Sequence, residues 1–291
     1  MAHNSHELAL LFPGQGSHTP DMREQVEAHR PDLLALACSE VSDDLFERAG
    51  EGTRWAQPAI YCAALAGYEV LEDRFDPALM AGHSLGEISA LVAAGALEAE
   101  AGLRLVAARG RLMQEAAEQT GDGGMLVVRA RERAPVEEVA AQTELSVAND
   151  NAPDQLVLSG TVAALEEAER LLGDRKVRAK RLPVAGAFHS PLMEPAVEPF
   201  REVVEKTPVS EPRVPVMSCA TAAPFEDVRG QLVEAITKPV RWTDVLRALR
   251  AAGATHFVET GPGQVLTGLT RKTLEGVEAE APLTAMEAAS A

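Results

Sequence analysis

Cysteine is scarce. Cys38, Cys62 and Cys219 are the three in 291 residues, and no two of them form a C-x-x-C pair. Their wide spacing speaks against a disulfide framework or a thiolate zinc site and fits ordinary core thiols in a reducing compartment. Long apolar runs are missing too. Nothing approaches the roughly 18 consecutive apolar residues of a membrane span. The start, MAHNSHELALLF, lacks the cationic end and apolar stretch of a secretion signal. Positive charge is in deficit, with 27 Lys and Arg against 44 Asp and Glu and a formal net charge of −17. Nucleic acid and anionic membranes are therefore poor partners. No internal repeat is visible, and the glycine turns FPGQGS and TGPGQVLTG fit neither G-x-G-x-x-G nor G-x-x-x-x-G-K-[ST], so nucleotide binding has no support. A cytoplasmic protein is expected.

What is present is apolar content, 46% of the chain, enough for one large domain or a domain carrying a smaller inserted one. ELALLF before PGQGS reads as a buried strand ending in a turn, and QPAIYCAALAGYEVL as a helix with proline in its first turn. PALMAG reads as a strand, followed by helices over Glu87–Leu97 and Ala101–Gln119. Strands alternating with helices predict an α/β fold with a central, mainly parallel sheet. After TGDGG the texture changes to βαββαβ, the ferredoxin-like pattern, which predicts an inserted subdomain over 124–184. The large domain then comprises 7–123 and 185–275, closing with the strand HFVET, the turn GPG and a helix from Val265. Residues 276–291, Ala/Glu-rich without a core-facing pattern, are expected to be a flexible tail.

Gly82-His83-Ser84-Leu85-Gly86 satisfies G-x-S-x-G between strand and helix, the setting of a nucleophile elbow. The other reading of Ser84 is a small residue in a tight turn. A nucleophilic serine needs a base, and of seven histidines His189 stands out, in GAFHSP after an apolar stretch; a satisfied buried histidine is the alternative there. His3, His6 and His29 read as solvated, His18 and His256 carry no distinguishing context, and His83 reads as structural. Arg109 has Leu105, Val106, Leu112 and Met113 at three and four residues along its helix, so it points inward, where an unpaired guanidinium is costly. It must meet an internal carboxylate or one on a ligand, and the residues leave both open. The twelve residues Arg170–Arg181 hold six of the basic residues, a solvated helix end or a docking surface for an acidic partner.

FPGQGS, QPAI, GHSLGE, RGRLMQEA, NDNAPDQLVLSG, AFHSPLM, KPVRW and GPGQVLTGL, in this order from Leu8 to Lys272, together resemble the malonyl-CoA:acyl carrier protein transacylases of fatty acid and polyketide synthesis. The resemblance implies a hydrolase-like large domain, Ser84 as the acyl-accepting nucleophile and His189 as its base and acid. It implies oxyanion donors at the main-chain N–H groups of Gln15 and Leu85, and a main-chain carbonyl near Ala235 orienting His189. Arg109 would hold the malonyl carboxylate, and Phe188 would favour malonyl over methylmalonyl; Gly186 departs from the histidine of many modular malonyl-selective domains. The implied substrate is malonyl-CoA, the implied partner an acidic acyl carrier protein bearing phosphopantetheine, with no metal or cofactor and a monomeric enzyme. Arg175, Lys176 and Arg178 are the expected carrier-docking residues. A proofreading acyl-thioester hydrolase and a non-catalytic carrier-binding module are the rival functions.

Overall fold

The computed structural model describes residues 7–184 and 186–283. The chain begins with β1 (Leu8–Phe12), α1 (Met22–His29), α2 (Pro31–Glu40), α3 (Thr53–Leu71), β2 (Leu79–Gly82), α4 (Gly86–Ala93) and α5 (Ala99–Thr120). A second group follows: β3 (Gly123–Arg129), α6 (Ala134–Gln142), β4 (Ser146–Ala152), β5 (Gln155–Thr161), α7 (Val162–Asp174) and β6 (Arg178–Arg181). The last part holds α8 (Glu194–Lys206), β7 (Val216–Ser218), β8 (Ala223–Pro224), α9 (Val228–Glu234), α10 (Trp242–Ala251), β9 (His256–Glu259), α11 (Val265–Thr273) and β10 (Glu278–Glu280).

The larger sheet runs β10-β9-β1-β2-β7-β8, and every pairing but β7–β8 is parallel. Strand β1 shows why it is buried on both sides. Leu8, Leu10 and Phe12 enter the core shared with α3, α4 and α5, while Ala9 and Leu11 face the core of α10 and α11. This is the α/β arrangement that continuous apolar strands predict. The chain leaves β1 for β2 on one side, and β9 arrives on the other, so a crevice opens at the carboxyl ends of these strands.

The smaller sheet, β4-β5-β3-β6, is wholly antiparallel and has the βαββαβ order. Helices α6 and α7 cover one face through Leu126, Val128, Val139, Leu158 and Leu165. On the opposite face Met125, Val127 and Val157 pack toward the larger domain. Edge strand β4 is bonded to the larger domain: Val240 N–H donates to Ala148 at 2.8 Å and Asp150 N–H to Val240 at 2.8 Å.

Two expectations need correction. Pro58 lies inside α3, not in its first turn, because the helix starts at Thr53. Tertiary hydrogen bonds of Thr53 and Gln57, described below, hold that added turn. Nor is the chain from 276 onward a flexible tail throughout: Glu278–Glu280 pairs with β9 in parallel, burying Ala279, and Glu280 bonds His256 at 2.8 Å. Three residues with one buried side chain are too short to show a period. Residues 284–291 lie outside the described residues.

Candidate active site

The chain leaves β2 at Gly82 and enters α4 at Gly86 through Ser84, whose φ is 55°. Residues other than glycine rarely hold this left-handed conformation, and here it lifts the hydroxyl off the sheet. The flanking glycines are demanded by contact. A Cβ on Gly82 would lie 1.9 Å from the Gly86 backbone, and one on Gly86 would lie 2.2 Å from the Phe12 carbonyl oxygen. The G-x-S-x-G spacing thus records three backbone segments packed without side chains.

His189, also at positive φ (56°), is 5% exposed. Its Nδ1 sits 3.0 Å from the carbonyl oxygens of both Ala235 and Lys238, and its Nε2 lies 2.9 Å from Ser84 Oγ. Two carbonyls can only accept, so Nδ1 carries the proton and Nε2 is left to accept from the serine hydroxyl. Burial, then the charge of Arg109 and the neighbouring His83, pushes the His189 pKa down to about 3. The ring is neutral at pH 7 and available as a base.

Arg109 is 3% exposed on α5. Its Nη2 donates to Ser84 Oγ at 3.1 Å and its Nη1 to Gln57 Oε1 at 2.8 Å. Among the described residues it makes no ion pair. The acid that influences it most is buried Glu87, which accepts the Cys219 N–H at 2.7 Å. Burial raises Glu87 to about 7 and lowers Arg109 to about 10. Of the two partners open to Arg109 from sequence, an internal carboxylate is not supplied as a direct contact.

A cavity of about 170 Å³ joins these groups, with Gln15, Leu85, Met113 and Phe188 in its wall. The main-chain N–H groups of Gln15 and Leu85 find no acceptor among the described residues. Leu85 follows Ser84 at the start of α4, and Gln15, in the loop after β1, lines the same cavity. Phe188 is buried next to His189, and a side chain at Gly186 would press on its ring at 2.7 Å. His83 is placed by structure: its Nε2 lies 2.8 Å from Asn151 Oδ1 and its ring packs 5.3 Å from Trp242.

The basic segment does not act as one group. Arg175 is held on the helix-covered side by Glu138 at 2.9 Å and the Pro135 carbonyl, and Arg170 and Arg181 pair with Glu167 and Glu169. Lys176 is exposed in the turn before β6. Arg178 alone of the expected trio lies on the helix-free face: it is paired with Arg129, and Lys180 with Val127, so these share a face with Met125 and Leu182 of the cavity wall. Arg129, Arg178 and Lys180 are exposed and make no ion pair among the described residues.

Sequence reasoning missed Thr53, Gln57, Glu87, Asn151 and the Lys238 carbonyl. Thr53 and Gln57 left a faint signal, two polar residues one turn apart at the head of an apolar helix. The Lys238 carbonyl left none.

A family model described as an acyl transferase domain matches residues 36–288. The chain is 36% identical to the malonyl CoA-acyl carrier protein transacylase of Salmonella typhimurium, covering 94% of this chain and 95% of that one. It is 40% identical, over 91% of its length, to the polyketide biosynthesis protein ThaF of Burkholderia thailandensis, of which it spans 24%. Among solved structures it is similar to malonyl-CoA:acyl carrier protein transacylase (FabD) from Xanthomonas oryzae, with TM-score 0.89, 35% identity and 97% of each chain covered. It is also similar to a malonyl-transacylase solved in complex with its type II PKS acyl-carrier protein, with TM-score 0.87, 33% identity and 94% and 95% coverage. The chain belongs to the acyl transferase family and, within it, to the malonyl CoA-acyl carrier protein transacylases.

Proposed function

We propose that the protein transfers a malonyl group from malonyl-CoA to the phosphopantetheine thiol of an acyl carrier protein through an ester on Ser84. The observation that carries this reading is Arg109, a buried cation without an ion pair among the described residues, 3.1 Å from the Ser84 oxygen. A guanidinium there costs stability unless an anionic ligand meets it, and a malonyl carboxylate fits its planar fork.

Ser84 Oγ attacks the thioester carbonyl while its proton passes to His189 Nε2. The main-chain N–H groups of Gln15 and Leu85 hold the oxyanion. The C–S bond breaks, and the CoA sulfur leaves with the proton from His189. The carrier's thiol then gives its proton to Nε2 and attacks the ester; the C–O bond breaks and Ser84 recovers the proton. Two half-reactions share one covalent intermediate, so the kinetics are ping-pong. The substrate carboxylate has a second effect. By neutralising Arg109 it removes one of the charges that hold His189 down, although burial, the larger cause, remains. Phe188, packed beside His189, leaves little room for a branch on the malonyl carbon.

An acidic carrier approaching a chain of net charge −17 needs a local basic surface. Arg129, Arg178 and Lys180 provide one on the sheet face that leads into the cavity. Intact-protein mass after brief mixing with malonyl-CoA tests the reading: a malonyl adduct on the wild type and none on Ser84→Ala supports it.

A further inference from the structure

Gln15 is held in the site by its side chain. It is exposed, in the loop between β1 and α1, yet its main-chain N–H must sit within hydrogen-bond reach of a developing oxyanion. Displacement by about 1 Å at such a position can cost on the order of a hundredfold in rate. Among the described residues its one hydrogen bond is made by the side chain: Thr53 Oγ1 donates to Gln15 Oε1 at 2.9 Å across 38 residues of sequence.

Thr53 is itself 3% exposed and belongs to a chain of bonds with fixed polarity. Arg109 can only donate, so Gln57 must turn its Oε1 to Nη1, at 2.8 Å. The Gln57 Nε2 is then directed at Thr53 Oγ1, at 2.9 Å, with Met113 Sδ at 3.5 Å. Having accepted from Gln57, the threonine hydroxyl spends its single proton on Gln15. Thr53 and Gln57 are one helical turn apart, so they share the face of α3 that meets α5. Gly110, next to Arg109, permits that meeting: a Cβ there would lie 2.7 Å from the Thr53 carbonyl oxygen.

We infer that Thr53 is a positioning residue: it fixes the Gln15 loop to the arginine that reads the substrate's carboxylate, so that both ends of the acyl group are met by one rigid hydrogen-bonded unit. The role of Arg109 in this statement rests on the malonyl-transfer reading; the anchoring of Gln15 does not.

The test compares wild type, Thr53→Val, Thr53→Ser and Gln15→Ala. Ser84 acylation is followed with malonyl-CoA and, independently of any CoA or carboxylate, with p-nitrophenyl acetate. Thr53→Val, which keeps the shape and loses the hydroxyl, should slow acylation by both reagents about tenfold. The KM for malonyl-CoA should stay within about twofold, because the Arg109 contacts to substrate remain. Thr53→Ser should restore the rate. Gln15→Ala, which removes an exposed side chain and leaves its N–H, keeps the fold safe and should match Thr53→Val. The double variant should be no slower than either single one, since both remove the same bond. A loss confined to malonyl-CoA, no rescue by serine, or additive losses would each overturn the inference. Acylation of wild type by p-nitrophenyl acetate but not by malonyl-CoA would instead sink the malonyl reading and leave the Thr53 result standing.

Discussion

Two arginines, one in each domain, are treated differently by the fold. In the smaller domain Arg133 holds Asp150 with two bonds of 2.9 Å, and Asp150 also accepts from Thr243 at 2.7 Å. That cluster joins α6, β4 and α10, and each charge is answered. In the larger domain Arg109 is more deeply buried and, among the described residues, donates to a glutamine and to the Ser84 hydroxyl without an ion pair. One arginine completes a joint; the other meets no carboxylate directly among the described residues. A buried cation with no direct carboxylate contact among the described residues marks the site more sharply than the depth of the cavity does.

Replacing each arginine by methionine sharpens the contrast. Arg109→Met should lose preference for malonyl over acetyl transfer by roughly ten- to over a hundredfold, the worth of a charge-assisted hydrogen-bonded pair. Its thermal stability should be unchanged or higher, because a buried unpaired charge is gone. Arg133→Met should do the reverse, costing roughly 1–3 kcal/mol in denaturant unfolding, a range reduced because Arg133 is one-third exposed, with selectivity intact. A large stability loss in the first variant, or a selectivity loss in the second, would erase the distinction.

The basic residues of the smaller domain give a second, smaller contrast. Changing Arg129, Arg178 and Lys180 to Glu should raise the carrier KM about tenfold and leave the malonyl-CoA KM alone. Arg175→Glu, at a residue already engaged by Glu138, should change neither. Equal effects from the two changes would mean that the helix-free face is not the docking surface.

The least pronounced effect is on pH. A histidine held neutral down to about 3 keeps its basic form well below the ordinary value of 6.5. The acylation rate should therefore be nearly flat between about pH 5 and 8, and an acid limb centred on 6.5 would contradict the desolvated imidazole. Stability carries the same sign: the unfolded histidine takes up a proton below 6.5 while the native one does not, so this group's contribution falls as pH drops from 6.5 toward 3.

Much of this was legible from local rules. The elbow was readable because G-x-S-x-G between a strand and a helix is a local spacing, although the contact that demands Gly86 comes from distant Phe12. The inward direction of Arg109 was readable because helical period fixes a face. The βαββαβ order followed from changes of period alone. What local rules could not reach were contacts between distant segments. Ser84 and His189 are 105 residues apart, and Thr53 is 38 from Gln15. Position 57 reads as one polar residue in an apolar helix until α5 is packed beside it. The basic run Arg170–Arg181 could not be sorted into faces for a related reason: it spans a helix end, a turn and a strand, and neighbours in the strand point to opposite faces.

The central claim is that Ser84 carries a malonyl group held by Arg109. The most direct measurement is intact-protein mass after brief exposure of wild type, Ser84→Ala and Arg109→Met to malonyl-CoA and, separately, to acetyl-CoA. Malonyl transfer through Ser84 requires a malonyl adduct on wild type, no adduct on Ser84→Ala, and loss of the malonyl preference in Arg109→Met. A malonyl adduct that persists in Ser84→Ala, or a wild type that takes neither acyl group and releases no malonate, would contradict it.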